Sequence, residues 1–311
     1  MKSDVVLIAA RRRGAVLLET LLKEDIPIRG CIFMQDDPHE EPWADRLCAI
    51  ADRFEIDSVV GRSLRNGEPA RKLHAWQPKI VVAENWRTIV PHDVYEAIPH
   101  FVIFHEALLP KYRGFAPLSW PIINGESLTG VTLFYVSEEV DAGDIIAQRS
   151  IPIDPDDTVN ELYDKTIPVY CDMLAEALPL LDNGGAPRRP QDHAQATYTC
   201  VRTPSDGRID WTQPTAAIYN LIRALTPPMM PGAWTNLAGD ALMIRSASIL
   251  PVTPDYVGRV PGRVVRILDG PVWVLTGDGV IQLNVVSAMT RDAEPSPAAA
   301  LLRSLKTKLG D

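Results

Sequence analysis

At 311 residues the chain is long enough for two domains, each with its own core, and its 46% hydrophobic and 23% charged residues exclude a disordered or fibrous protein. A net charge of −9 argues against a nucleic-acid partner gripped chiefly through its phosphates. The four cysteines, Cys31, Cys48, Cys171 and Cys200, form no CxxC pair, so no metal site is expected and they read as reduced, buried thiols.

The start, MKSDVVLIAARRR, carries a six-residue apolar run, too short for a secretory signal, and no run of 18 apolar residues follows anywhere. A cytoplasmic protein without membrane contact is expected. VVLIAA (5–10) reads as a strand buried on both faces, followed through RRRG by the helical spacing of AVLLETLLKED. PIRGCIFMQ (27–35), DSVVG and KIVVAE (79–84) read as further strands, and FVIF (101–104) as a fourth buried run. Between them PWADRLCAIADRF (42–54), GEPARKLHAWQ and the stretch near PHDVYEAI have helical patterns. This alternation predicts an α/β fold, doubly wound with a mainly parallel sheet.

Farther along, TGVTLFYV (129–136) and IIAQRSIPI (145–153) predict two strands around a DAGD turn. Residues 158–185 predict a long helix interrupted or kinked near Pro168 and stopped by Gly-Gly. GAPRRPQDHAQATY is polar, Pro-containing and aperiodic, and reads as a linker. Beyond it come a short helix (214–225) and several short strands with glycine turns, which predict a small β-barrel-like, OB-like domain. SPAAALLRSLKTKL (296–309) has the spacing of an amphipathic helix. The expected division is a first domain over 1–184, a linker over 185–200 and a second domain over 201–311.

A doubly wound sheet places ligands outside the carboxyl ends of its strands. Asn85, Trp86, Arg87 and His105 all follow strands at that edge. The first turn lacks GxGxxG, so no dinucleotide is expected. Arg11, Arg12 and Arg13 read as a solvated turn, or alternatively as a phosphate contact. From the residues alone His105 is either a structural histidine or a reactive one, and Asp141 either a turn residue or its carboxylate partner.

HEALLPKYRGFAPLSWPIINGE (105–126), TGVTLFYVSEEVDAGDIIAQ (129–148), RTPSDGRIDW (202–211) and PPMMPGAW (227–234) together resemble the folate-dependent formyltransferase family, of the methionyl-tRNA and amino-sugar type. The resemblance implies a 10-formyltetrahydrofolate-binding first domain, a barrel-like second domain and catalysis by an Asn, a His and an Asp. His105 and Asp141 match two of these, whereas Ile103 stands at the Asn position and Glu106 replaces the usual small residue after the His. It further implies cofactor contacts at Asn85, Trp86, Arg87, Val140 and Asp144, and acceptor contacts at Lys111, Tyr112, Arg113 and Asn124.

Ile103 cannot donate a hydrogen bond, so a donor from Asn85, Asn124 or a backbone N–H would have to compensate. Otherwise the transfer is altered, or the chain is a folate-binding relative without transfer activity. The expected acceptor is the primary amine of a small molecule, first a nucleotide-linked amino sugar. Alternatives are a hydroxyornithine-type or natural-product amine, or methionyl-tRNA. Homodimerisation through the second domain is a family implication with no separate signal in this sequence.

Overall fold

The computed structural model describes residues 4–37, 41–290 and 293–310, and it divides into two units. The first comprises Met1–Pro117, Leu128–Pro152 and Tyr163–Cys200. In chain order its elements begin β1 (Val5–Ala9), α1 (Arg11–Lys23), β2 (Ile28–Met34), α2 (Ala44–Arg53), β3 (Ser58–Gly61), α3 (Gly67–Trp76), β4 (Ile80–Ala83), α4 (His92–Glu96) and β5 (His100–His105). A two-residue strand β6 (Arg113–Gly114) is followed, after a short helix α5 (Ser119–Ile123) that groups with the second unit, by β7 (Leu128–Tyr135) and β8 (Ile145–Pro152). The long helix α6 (Val159–Asn183) and the two-residue strand β9 (Tyr198–Thr199) follow.

The seven-stranded sheet has the order β3-β2-β1-β4-β5-β7-β8. Its first five strands are parallel, and β7 and β8 add an antiparallel edge. Every residue of β1 is fully buried, which is why VVLIA shows no polar alternation: a central parallel strand is covered on both faces. The chain leaves β1 toward β2 and later returns to the other side at β4, so a topological switch point lies between β1 and β4.

The second unit comprises Leu118–Ser127, Ile153–Leu162 and Val201–Asp311. Helix α7 (Thr215–Ala224) precedes β10 (Ala233–Leu237), β11 (Asp240–Ile249), β12 (Val264–Ile267), β13 (Val272–Leu275) and β14 (Val280–Ala288). These form an antiparallel sheet in the order β10-β11-β14-β13-β12, with β15 (Ser296–Pro297) added to β14. Ile218 and Ile222 of α7 pack with Ile244, Val274 and Ile281 in its core.

Four details depart from the sequence reading, each because tertiary contacts override local pattern. Helix α6 runs unbroken through Pro168 and Pro179, its apolar side anchored by buried Tyr170, Met173, Leu174 and Leu181. The tail forms only the single turn α8 (Ala298–Leu301), because β15 pairs with β14 and Leu302 and Leu309 are drawn into the second core. Cys31 alone among the cysteines is buried, and Cys200 is exposed.

The fourth departure is the unit division itself. Residues 118–127 and 153–162 group with the second unit. Ser119 Oγ donates to the Ala224 carbonyl at 3.1 Å, Arg223 Nη1 to the Asp157 carbonyl at 2.8 Å and Asn160 Nδ2 to the Pro227 carbonyl at 3.1 Å. Residues 185–200 group with the first unit. Ile145 and Arg189 exchange backbone hydrogen bonds of 2.8 and 3.1 Å, and β9 pairs in parallel with β6. Among the described residues no helix is long and apolar enough to cross a membrane.

Candidate active site

The carboxyl edge of the parallel strands is held together by a buried charge cluster. The strand-to-helix passage at Ala10 admits no solvated arginine turn: α1 begins at Arg11, and Arg13 is 1% exposed. Arg12 does reach the surface, where it pairs with Asp164. Arg13 donates from Nε to Glu84 Oε1 at 3.0 Å, from Nη1 to Thr166 Oγ1 at 3.0 Å and from Nη2 to Glu106. Glu84 also accepts from the Ala10 N–H at 3.0 Å, and the Arg13 N–H donates to the Tyr163 hydroxyl at 2.9 Å.

The Arg13 guanidinium lies 4.1 Å from the Tyr170 ring centroid, and Tyr170 stacks on Phe104 at 4.3 Å. Phe104 in β5 and Glu106 just past its end are thus both drawn to the Arg13–Tyr170 cluster. Burial opposes charge on Arg13, but the facing carboxylates of Glu106 and Glu84 outweigh it and hold the guanidinium ionised. One cation serves two carboxylates unequally. Burial raises the fully enclosed Glu84 despite Arg13, whereas at Glu106 burial is outweighed by Arg13 and His105, and its carboxyl lies below the usual range.

His105 is the last residue of β5 and belongs to the face opposite Phe104, with Ile103. Its Nε2 lies 2.7 Å from the Tyr112 carbonyl oxygen, an acceptor only, which places a proton on Nε2. Its Nδ1 lies 3.6 Å from Asp141 Oδ2. Both neighbours come from strained loops, since Tyr112 has φ +59° and Asp141 φ +54°. The β7–β8 loop folds back to bring Asp141 here. Gly143 permits that path, because a Cβ on it would sit 1.8 Å from the Tyr135 carbonyl oxygen. The Gly114 N–H donates to Asp141 Oδ2 at 2.7 Å and fixes the carboxylate.

The structure therefore joins His105, Asp141 and Tyr112, three of the residues singled out from sequence. Arg113, expected at the acceptor mouth, is instead fully buried, with its guanidinium turned onto Gln191 Oε1 at 2.7 Å and the Tyr198 hydroxyl at 3.2 Å. Its five donors are spent on protein groups because the segment 189–199 covers it. Lys111 is exposed. Asn124 belongs to the second unit, where it ends α5. Ile103 is half-buried against Leu109, Phe134 and Ile145.

Asn85 adopts the left-handed conformation, φ +51°. Ala83 is in register with Ile103 on the neighbouring strand, and Asn85 and His105 each lie two residues beyond that pair. Arg87 donates to Asp37 at 2.6 Å, and Asp37 also pairs with Arg62 at 2.7 Å. Burial pushes the Asp37 carboxyl up, but Arg62 and Arg87 together outweigh it and hold the carboxyl below its usual range. Trp86 is buried against Val90, Ile98 and Phe101, and its indole N–H has no hydrogen-bond partner among the described residues. Val140 is 53% exposed, and Asp144 lies 3.9 Å from Arg188, which stacks over Tyr135. An orphaned buried donor at the strand edge and an exposed apolar side chain beside Asp141 suit a flat heteroaromatic ligand with acceptor atoms.

Sequence reasoning took Arg13 for a turn residue or phosphate contact and missed Glu84, Gln191 and Thr197. The signal for Arg13 and Glu84 was present: Glu84 and Glu106 directly follow buried strands and required a cation. Nothing in the polar stretch around Gln191 marked it.

Residues 1–178 match the formyl transferase family model, and residues 202–304 match the model of the formyl transferase C-terminal domain. The chain is 36% identical over 262 residues, covering 83% of this chain and 78% of the relative, to a methionyl-tRNA formyltransferase of Roseiflexus sp. (strain RS-1). A methionyl-tRNA formyltransferase of Syntrophus aciditrophicus (strain SB) is 32% identical over 278 residues, 88% of each chain.

Among solved structures, the fold is similar to an N-formyltransferase from Helicobacter canadensis in complex with folinic acid and dTDP-3-aminofucose. The TM-score is 0.66 at 20% identity, over 91% of this chain and 99% of that one. It is also similar to HypX from Aquifex aeolicus in complex with tetrahydrofolic acid, with TM-score 0.68 at 20% identity. There the match covers 98% of this chain but only 48% of HypX, so the chain spans about half the length of that protein. With both family models matched in order along a single chain, and the family's donor being 10-formyltetrahydrofolate, the protein belongs to the formyl transferase family and is a folate-dependent formyltransferase.

Proposed function

We propose that the chain transfers a formyl group from 10-formyltetrahydrofolate to the primary amine of a small molecule, with a nucleotide-linked amino sugar as the acceptor class. The observation that carries the choice of site is the His105–Asp141 pair, fixed at the end of β5 by Tyr112 and Gly114. 10-Formyltetrahydrofolate supplies the formyl carbon and takes up a proton on the nitrogen that releases it. His105 exchanges the contact of its Nε2–H with the Tyr112 carbonyl for one with the formyl oxygen as negative charge builds there, and Asp141 accepts the proton lost by the attacking amine, directly or through water. Trp86, Asn85 and Val140 are the residues that would hold the folate ring, with Arg87 and Asp144 at its margin.

Charge distribution supports a small acceptor. Residues 1–200 carry 20 Arg and Lys against 31 Asp and Glu, an unfavourable surface for a long polyanion. Residues 201–311 carry 11 against 9, and the names of the curated relatives favour methionyl-tRNA as the second reading. Formyl transfer to dTDP-3-aminofucose and to methionyl-tRNA, each measured at 50 and 200 mM salt, separates the two. We expect transfer to the sugar nucleotide with no more than about a threefold salt effect. Transfer to methionyl-tRNA that falls by about a thousandfold or more, as 6–10 phosphate contacts require, would replace this reading.

Asn85, which follows β4 as His105 ends β5, is the side chain we assign to supply the donor that Ile103 lacks. Ile103→Asn is accordingly expected to leave kcat within about threefold of wild type. It should lower stability by about 1–3 kcal/mol, because a packed apolar side chain becomes an amide. A gain of tenfold or more in kcat would show the site short of a donor.

A further inference from the structure

We infer that the connecting segment 189–199 forms a wall of the transfer site, and that Gln191 and Thr197 are positioning residues for the His105–Asp141 pair. The inference rests on the reading of that pair as the transfer site. His105 has two polar neighbours, the Tyr112 carbonyl and the Asp141 carboxylate. Each is carried by a non-glycine residue in the left-handed conformation, which persists only where surrounding contacts over-determine it. For both, the contacts come from the same segment.

Thr197 holds the first neighbour. Its Oγ1 accepts from the Tyr112 N–H at 2.9 Å, and its carbonyl accepts from the Arg113 N–H at 2.9 Å. The peptide whose carbonyl receives His105 is therefore pinned one bond away on either side.

Gln191 holds the second. It is 6% exposed, and its Nε2 donates to the Asp141 carbonyl at 2.9 Å and to the Gly143 carbonyl at 2.8 Å. Its Oε1 accepts from Arg113 Nη2 at 2.7 Å and Nε at 3.3 Å. All four hydrogen-bonding positions of the amide are occupied, and its orientation is set by Arg113, which can only donate. No other side chain of this size supplies two donors toward the Asp141 and Gly143 carbonyls and an oxygen that accepts twice from Arg113. The circuit closes at Gly114, next to Arg113, whose N–H fixes the Asp141 carboxylate. A loop that loses Gln191 keeps the carboxylate contact but loses the anchor of its own backbone.

The test uses the full chain with isotope-labelled histidine, without folate, its His105 ring signals assigned by their loss in His105→Ala. Gln191→Met, which keeps the length and removes both donors, is expected to move those signals while leaving the histidines remote from Arg113 in place. Thr197→Val is expected to move them as well, and Thr197→Ser, which retains the hydroxyl, to restore them. Calorimetric affinity for folinic acid should stay within about threefold in all three variants. Turnover with dTDP-3-aminofucose should fall about 10- to 100-fold in kcat with little change in KM in Gln191→Met and Thr197→Val, the range that misplacement by about 1 Å produces, and stay near wild type in Thr197→Ser.

Ring signals at wild-type positions in both Gln191→Met and Thr197→Val would overturn the positioning role. So would a Thr197→Ser variant no better than Thr197→Val, or a loss of folinate binding in parallel with every loss of rate. Failure of the underlying reading is separate, because it would show as wild-type turnover in His105→Ala.

Discussion

Replacing His105 by alanine is expected to lower kcat for formyl transfer by about 10²–10³-fold, the effect of deleting one hydrogen-bond donor to a developing oxyanion, or about 3–4 kcal/mol. Asp141→Asn is expected to cost about 10²–10⁴-fold, because the amide still accepts from the Gly114 N–H but cannot take the amine proton. Neither side chain belongs to a hydrophobic core, so folinic acid affinity should remain within a few-fold and both variants should melt near wild type. The double variant should be little worse than the more damaged single one, since two residues acting as a unit do not contribute additively. Steady-state kinetics with 10-formyltetrahydrofolate, beside calorimetry with folinic acid, read all of this. Wild-type rates in either single variant would remove the pair from the mechanism.

The second large effect is on stability. Arg13→Met removes the shared cation of Glu84 and Glu106, which are 0% and 15% exposed at the side chain. Stranding buried carboxylates in this way costs about 3–5 kcal/mol, and at about 2–4 °C per kcal/mol for a unit of this size Tm should fall by about 10 °C or more. The triple variant Arg13→Met, Glu84→Gln, Glu106→Gln should recover most of that loss, because no formal charge is left buried.

The loss should also depend on pH in a definite direction. In the wild type Glu106 lies below its usual range and contributes stability that fades as pH falls through its folded value, while Glu84 lies above and contributes the opposite trend. Without Arg13 both carboxyls lie above their unfolded values, so stability is retained at acid pH and lost as pH rises. The gap between wild type and Arg13→Met should therefore widen from pH 5 to pH 8. A gap that is flat or narrows over that range would mean that Arg13 does not neutralise the two carboxylates.

The history of Arg13 shows where local reading stops. Three consecutive arginines at a strand edge read as a solvated turn, whereas all three begin helix α1 and only Arg12 among them is exposed, paired with Asp164. Successive helical residues are rotated by about 100°, so one of the three must face inward. Whether that one survives burial depends on carboxylates 71 and 93 residues away. Glu106 is the complementary case. As a charged residue following the histidine it departs from the family pattern, and only the fold shows that it lies just past β5, neutralised by buried Arg13.

What the amino-acid order determined by itself is the architecture of the first unit and the identity of its candidate pair. Continuous apolar runs such as Val5–Ala9 specify strands covered on both faces, because in such a strand an alternating pattern would bury polar side chains away from water. The family motifs singled out His105 and Asp141. Only the tertiary structure decided that these two residues, 36 positions apart, come within 3.6 Å, since no spacing rule says how far a loop folds back. It also turned a polar, aperiodic stretch into a wall of the site. Residues 189–199 are held by bonds from side chains to distant backbone groups, above all Gln191 to Asp141 and Thr197 to Tyr112. Such bonds leave no periodicity along the chain, because their partners lie on other segments and are brought to them by the packed sheet.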